Sequence, residues 1–454
     1  VNRIDRSRLP EVRPSGAFHF PTFFRTRLAN GLELRTATRR GLPVVSLIVL
    51  LPVGASADPA DLPGLAALTG DMLDEGSGDR SAIDIHEEIA ALGGELEIEV
   101  GADATTVSLT LLSDHLVRGV GLLADLVVQP RLADADVTRV RGLRLDRLAQ
   151  LRGVPAAIAD RAFLKRLYGA HPYGHSAIGT EDALGRLHAD DVREFHASRY
   201  VPDGATIVAA GDVDTAQLSG LVTSAFGSWT THVAAPGGSL DDVLPPDGLP
   251  DVAVIDRPRA AQSEVRIGHV GPSRTTPDYH ALLVLNAVLG GQFVSRVNLN
   301  LRERKGYTYG ARTTFEFRKG PGPFLLQTSV DTRATADAVV EALGELRSIR
   351  GDIPVTPEEL ELARASLTRG YPRSFETVGQ IARGAAQLAL YDLPDNYFEQ
   401  FVPSILRVGI DEVTRAAQNH IDPARLATLL VGDADVIVSA LEVAGIGKVE
   451  VLNV

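Results

Sequence analysis

The sequence predicts an α+β protein built from two homologous domains in tandem, each a mainly antiparallel sheet with helices packed on one face. Three observations carry this expectation. "DDVREFHASRYVPDGATIVAAGDVD" (190–214) and "DEVTRAAQNHIDPARLATLLVGDAD" (411–435) match without a gap: Val192 with Val413, Pro202 with Pro423, Gly211 with Gly432 and Asp212 with Asp433. "VAAPGGSLDDVLPPDGLP" (233–250), rich in Pro, Gly and Asp and free of periodicity, reads as a linker between the two copies. Strand-like runs and helix-like runs are clustered rather than strictly alternating, which favours helices over one sheet face. The expected division is therefore residues 1–232, a linker at 233–250, and residues 251–454.

Each copy opens with strands. In "FFRTRLANGLELRTA" an Asn-Gly pair stands between two alternating runs, a strong hairpin signal. "LPVVSLIVLLPVGA" is an apolar strand rich in Val and Ile. "GLAALTGDMLDEGS" (64–77) places Leu65, Leu68 and Met72 on one helix face, and "GGELEIEVGADATTVSLTL" (93–111) alternates over 95–100 as a strand able to form a sheet edge. "TADAVVEALGELRSI" and "DEVTRAAQNHI" carry the helical period.

Composition removes several function classes. Hydrophobic residues make up 44% of the 454 and charged residues 23%, a soluble globular profile too long for one ordinary core. No 18 apolar residues run uninterrupted, so no membrane partner is expected. A formal net charge of −13 argues against a nucleic-acid partner. With no cysteine there is no disulfide, thiolate metal site or cysteine nucleophile. The first 21 residues carry early charge without an apolar signal core, which favours the cytoplasm, or the periplasm if a signal peptide has been removed. There is no G-x-S-x-G elbow, P-loop or dinucleotide fingerprint in its proper context. His171 and His175 in "HPYGH" are four apart, but Pro172 and Gly174 oppose a regular helix, so a structural turn is the better reading. His86, beside Glu87 and Glu88, reads as part of a solvated helix face.

Several segments in order along the chain, "LANGLEL" with "VSLIVLLPVGASADPADLPGLA", "TLLSDHLVRGVGLLADLVVQPRL", "HPYGHSAIGTEDALGRL" and "LNLRERKGYTYGARTTF", resemble the pitrilysin, insulysin and mitochondrial processing peptidase family of zinc peptidases. The resemblance implies two like domains forming one half of a clamshell. In that family the helix after the glycine carries H-x-x-E-H, whose histidines hold zinc while the Glu activates water. Aligned on "GLA…MLDEG", those positions are Ala67, Gly70 and Asp71, and none is a histidine. The third ligand, a Glu, would fall near Asp146, Arg147 or Leu148, where there is no Glu and Arg147 would repel a cation. The expectation is a chain that binds no metal itself, any zinc belonging to a partner subunit.

The second copy keeps a different feature. The resemblance implies an Arg and a Tyr, seven positions apart, that donate hydrogen bonds to the substrate carbonyl and stabilise the oxyanion. Arg302 and Tyr309 in "LRERKGYTYG" have that separation. Tyr307 is the alternative: two residues apart, the two tyrosines share a face of a regular strand unless a bulge separates them. Gly290 and Gly291 in "VLGGQFVSR" permit close approach of a substrate backbone, or form a plain turn. Edge glutamates among Glu95, Glu97 and Glu99 would favour a cationic peptide added as a strand, or only discourage aggregation. The expected function is a non-catalytic subunit of a heterodimeric zinc endopeptidase, inactive alone and paired with a zinc-bearing homologue around a peptide. The alternative is an inert peptide-binding or structural subunit of the kind relatives contribute to respiratory complexes.

Overall fold

The computed structural model describes residues 18–230, Leu240 and residues 252–452. Apart from Leu240, the expected linker at 233–250 lies outside the described residues.

Six strands from the first half form one sheet: β1 (Phe24–Arg27), β2 (Glu33–Thr38), β3 (Val44–Leu51), β4 (Glu95–Val100), β5 (Thr105–Leu112) and β6 (Thr206–Gly211). Their order across the sheet is β1-β2-β6-β3-β5-β4, antiparallel except for β2 with β6. The Asn30-Gly31 turn joins β1 to β2 as the sequence predicts, with Gly31 in the left-handed region at φ 94°. The second half builds a second sheet from β7 (Val252–Asp256), β8 (Gln262–Val270), β9 (Thr308–Phe315), β10 (Pro323–Asp331), β11 (Ala427–Gly432) and β12 (Val449–Leu452). Its order is β9-β10-β8-β11-β7-β12. Read from β4, the first sheet follows the same path, with β4 in the place of β9. Only the last strand differs: an antiparallel hairpin arm in the first half, a parallel C-terminal strand in the second.

The helices that matter for the site are α1 (Leu65–Asp71), α2 (Asp134–Leu151), α3 (Pro155–Tyr168), α4 (Ala189–Arg199), α5 (Tyr279–Leu289), α6 (Val378–Leu390) and α7 (Ile410–His420). The sequence repeat is a structural repeat. Shifting α4 and β6 along the chain by the offset between Val192 and Val413 reproduces both bounds of α7 and of β11. Both helices also carry an acidic residue at their third position, Asp191 or Glu412, whose carboxylate accepts the N-cap backbone N–H.

One face of each sheet packs on helices of its own half, as expected. The first core includes Val45, Leu47 and Val49 of β3 with Leu65 and Leu68 of α1; the second includes Val265 and Ile267 of β8 with Leu282 and Leu285 of α5. The opposite faces are covered by an exchange of helices. α6, from the second half, lays Ile381, Ala385 and Leu388 on Ile48, Leu50, Val208 and Ala210 of the first sheet. α3, from the first half, lays Phe163, Leu167 and Tyr168 on Ala253, Ile255, Leu429 and Val431 of the second. Burial on both faces explains why β3 reads as the nearly continuous apolar run "VVSLIVLL", interrupted only by Ser46, rather than as an alternation. Among the described residues, no helix is long and apolar enough to cross a membrane.

Candidate functional site

α1 stands where the resemblance to zinc peptidases implies a metal-binding helix. Its N-terminus is held by Asp58, whose fully buried carboxylate accepts the backbone N–H of Gly64 at 2.7 Å and of Ala66 at 2.6 Å. His175 Nε2 lies 3.0 Å from both the Ala55 carbonyl and Asp58 Oδ2, so it is the protonated nitrogen and fixes that carboxylate. His171 serves elsewhere, its Nδ1 accepting the Tyr173 N–H at 3.1 Å. The "HPYGH" segment is thus a structural turn supporting α1. His86 is mostly exposed and lies 3.2 Å from Asp74.

The three motif positions do not fit a zinc ion. Ala67 is buried at 5% exposure and has no donor atom. Gly70 has no room for a side chain: a Cβ there would lie 2.5 Å from Cγ2 of Val100 on β4. Asp71 is paired with Arg144 of α2, which also donates to the Ala177 carbonyl at 2.8 Å. The resemblance implies a third position near residues 146–148, but the side chain of α2 that reaches Asp71 is Arg144, one helical turn before Leu148. Leu148 itself is buried, and Arg147 donates to Gln150. A guanidinium beside the one remaining carboxylate excludes a second cation by charge repulsion. Among the described residues, no three His, Cys, Asp or Glu side chains converge as a ligand set.

The second half carries an open cleft of about 530 Å³, lined by Gly290, Gly291, Phe293, Tyr309, Arg312 and Gln327 among others. Local backbone geometry decides what faces it. Residues Arg296–Asn298 form one helical turn that widens into a π-helical turn over Leu299–Arg304. The widening shows in Lys305 N donating to the Asn300 carbonyl at 3.0 Å; such turns recur at functional sites. Gly306, at φ 69°, ends the turn and feeds the chain into β9. Leu301 is buried as the anchor of this turn, while Arg302 remains part-exposed, its guanidinium 4.3 Å from the ring centre of Phe293, itself a cleft residue. Glu303, 3.5 Å from Arg302, is its nearest carboxylate partner. The neighbouring Arg296 is a structural pin, held by both oxygens of Glu359 and by the carbonyls of Ile353 and Pro354.

The two tyrosines are separated by the bulge that the sequence left open. The β9–β10 register shifts between Thr308 and Ala311. Tyr307 packs against the core of the second half, while Tyr309 is 90% exposed and lines the cleft. Gly290 and Gly291 also line the cleft, but their small size is required by their own chain. A Cβ on Gly290 would meet Thr313 at 2.5 Å, and one on Gly291 would meet Asn286 Nδ2 at 2.6 Å. They let the end of α5 seat against β9, where Thr313 N donates to the Gly290 carbonyl.

Sequence reading missed Arg312 and Gln327. In a regular strand, residues 309 and 312 point to opposite faces, so nothing in the spacing put Arg312 beside Tyr309; the bulge does. The candidate edge strand β4 does lie at an edge of the first sheet, with Glu95, Glu97 and Glu99 exposed and Leu96, Ile98 and Val100 packed on the core.

Comparison with known proteins gives a consistent result. Residues 36–181 match the insulinase model of peptidase family M16, and residues 186–367 match the model of the peptidase M16 inactive domain. An uncharacterized zinc protease of Mycobacterium leprae is 30% identical over 350 residues, covering 76% of this chain and 77% of the relative. The beta subunit of the mitochondrial-processing peptidase of Blastocladiella emersonii is 25% identical over 283 residues, 61% of this chain and 58% of that one. Among solved structures, a peptidase M16 inactive domain from Pseudomonas fluorescens superposes with a TM-score of 0.84 at 23% identity, covering 91% of this chain and 98% of that one. A protease from Helicobacter pylori gives a TM-score of 0.85 at 18% identity, covering 91% of this chain and all of that one.

Proposed function

The chain belongs to the insulinase family of peptidases, peptidase family M16, and on that premise we propose that it is the non-catalytic subunit of a two-chain zinc endopeptidase. The observation that carries this reading is the contrast between the halves. In the first, the motif positions hold Ala67, Gly70 and an Asp71 already paired with Arg144. In the second, Tyr309 stands exposed in an open cleft, and Arg302 lies over Phe293 of its lining.

In this reading a homologous partner holds the zinc, which would supply the activated water. This chain contributes hydrogen-bond donors. The Tyr309 hydroxyl and the Arg302 guanidinium donate to the carbonyl oxygen of the scissile peptide and stabilise the negative charge that develops on it. The π-turn and the β9 bulge are what aim these two side chains, and rigid placement is what makes such donors effective. The free edge of β4 would align an extended peptide by strand addition.

Mixing tests the proposal. The chain alone should leave a quenched fluorescent peptide intact, and adding a homologous subunit with an intact H-x-x-E-H should produce hydrolysis above that of the partner alone. Chelator-sensitive hydrolysis by the chain alone would overturn the division of labour. Stable association with the partner and no gain in activity would leave an inert, structural subunit.

A further inference from the structure

We propose that the cleft in the second half selects a carboxylate on the bound peptide, read by Arg312. This rests on the cleft being part of the peptide chamber, and it names the class of peptide that the chamber accepts. Arg312 is exposed, lines the cleft and stands on the same strand as Tyr309, brought to the same side by the bulge. Its cross-strand neighbour is Gln327, whose carbonyl oxygen accepts from Nε and one terminal nitrogen of the guanidinium once the amide is oriented to satisfy both groups. That contact is neutral and uses two of five N–H donors, leaving three for a ligand.

The other charges around the cleft are already matched. Arg266, 4% exposed, binds Glu264 at 2.9 Å and Asp160 at 2.7 Å, and Glu264 also accepts from the Ser329 hydroxyl at 2.6 Å. Both of those carboxylates therefore belong to Arg266. Arg302, over the ring of Phe293, has Glu303 beside it. Among the described residues, Arg312 has no carboxylate within ion-pair distance. A planar guanidinium with free donors, held in place by an amide on a strand, is a carboxylate receptor rather than a general cation. The walls also include Phe293, the glycines and the Tyr309 ring, with uncharged polar groups such as Asn298 and Thr328, which suit an extended backbone passing between them. The geometry points to Asp or Glu near the bond being cut, or to the free C-terminus of a short peptide; the chemistry is the same and the source is separable.

The test uses the intact chain and fluorescein-labelled decapeptides in anisotropy titrations. Three peptides are C-terminally amidated and differ at one central position, Glu, Gln or Lys; a fourth carries Gln there and a free C-terminal carboxylate. The Glu peptide should bind about tenfold more tightly than its Gln counterpart, as expected for one charge-assisted hydrogen-bonded contact. The Lys peptide should bind weakest. Preference for the fourth peptide over the Glu peptide would assign the carboxylate to the chain terminus. In Arg312→Gln the preference should vanish, and Arg312→Lys should restore part of it; the site is an exposed edge strand, and unchanged thermal unfolding of both variants checks their fold. Equal affinity for the Glu and Gln peptides, a preference that survives Arg312→Gln, or no binding of any peptide at millimolar concentration overturns the inference. The two readings fail separately. Charge-blind binding with activity on mixing removes only the carboxylate preference, and a preserved preference with no activity on mixing removes only the catalytic partnership.

Discussion

Replacing Gly70 with alanine should destabilise this protein, although the same change inside an ordinary helix stabilises. Alanine is favoured over glycine in a helix interior by about 1 kcal/mol. Here, however, the new Cβ would lie 2.5 Å from Cγ2 of Val100, well inside contact distance. Val100 is half-buried against the first core and β-branched, so it cannot swing aside freely. Overpacking of this kind costs about 1–3 kcal/mol, which outweighs or cancels the helix gain. In a Val100→Ala background the clash disappears, because the next atoms, Cβ of Val100 and Cγ2 of Ile98, lie at 3.9 Å, an ordinary contact. Gly70→Ala should then stabilise by about 1 kcal/mol, reversing sign. The double-mutant cycle should therefore show a coupling of about 1–3 kcal/mol between two residues on different elements. Thermal unfolding followed by the fluorescence of the single Trp229, buried at 4% exposure in the first half, provides the assay. For 454 residues a change of 1 kcal/mol moves the midpoint by only about 1 °C, so the four proteins must be measured side by side. If Gly70→Ala stabilises equally in both backgrounds, α1 is not pressed onto β4, and steric exclusion of a general base from this position is refuted. The same crowding implies that Ala67→His, Gly70→Glu and Asp71→His together leave the chain without stoichiometric zinc.

Further outcomes are expected. In the chain reconstituted with a zinc-bearing partner, Tyr309→Phe should lower kcat by about 10²–10³ with KM nearly unchanged, as for loss of one preorganised donor; Tyr307→Phe, a change two residues away on a core-packed ring, should leave kcat within a few-fold, and steady-state kinetics of the two variants decides it. Phe163→Ala, in the first half, should destabilise by about 3–5 kcal/mol and raise hydrogen exchange in β7 and β11 of the second half, because α3 covers that sheet. His269 is 4% exposed; its Nδ1 donates to the Val270 carbonyl and its Nε2 accepts from Asp422 N, so the neutral ring is the one that fits. Burial holds it below the ordinary value of 6.5, so its contribution to stability is complete above pH 6.5 and is lost as pH falls from there toward its lower folded value. The unfolding midpoint should drop between pH 7.5 and 5, and less steeply in His269→Gln.

The sequence by itself determined the duplication, the two sheets, the Asn-Gly hairpin and the absence of histidine from Ala67, Gly70 and Asp71. These are legible because each rests on local pattern or on identity at a position: a repeat at constant offset, an alternation, a missing imidazole. It also singled out Arg302 and Tyr309 as candidates, through spacing and resemblance, favouring Tyr309 without excluding Tyr307. Tertiary structure adds which ring faces the cleft: Tyr309 lines it and Tyr307 packs on the core. A one-residue irregularity in the β9–β10 register inverts the facing of every side chain after it, and no residue in "GYTYGAR" announces where the extra residue falls. The same irregularity brought Arg312 into the cleft. Gly70 reads in sequence as a general-base position without its carboxylate, and only the closeness of α1 to Val100 shows that no side chain fits there. The exchange of α3 and α6 was equally invisible: an apolar helix face declares that it must be covered, but it does not say by which sheet, since the hydrophobic effect is non-directional.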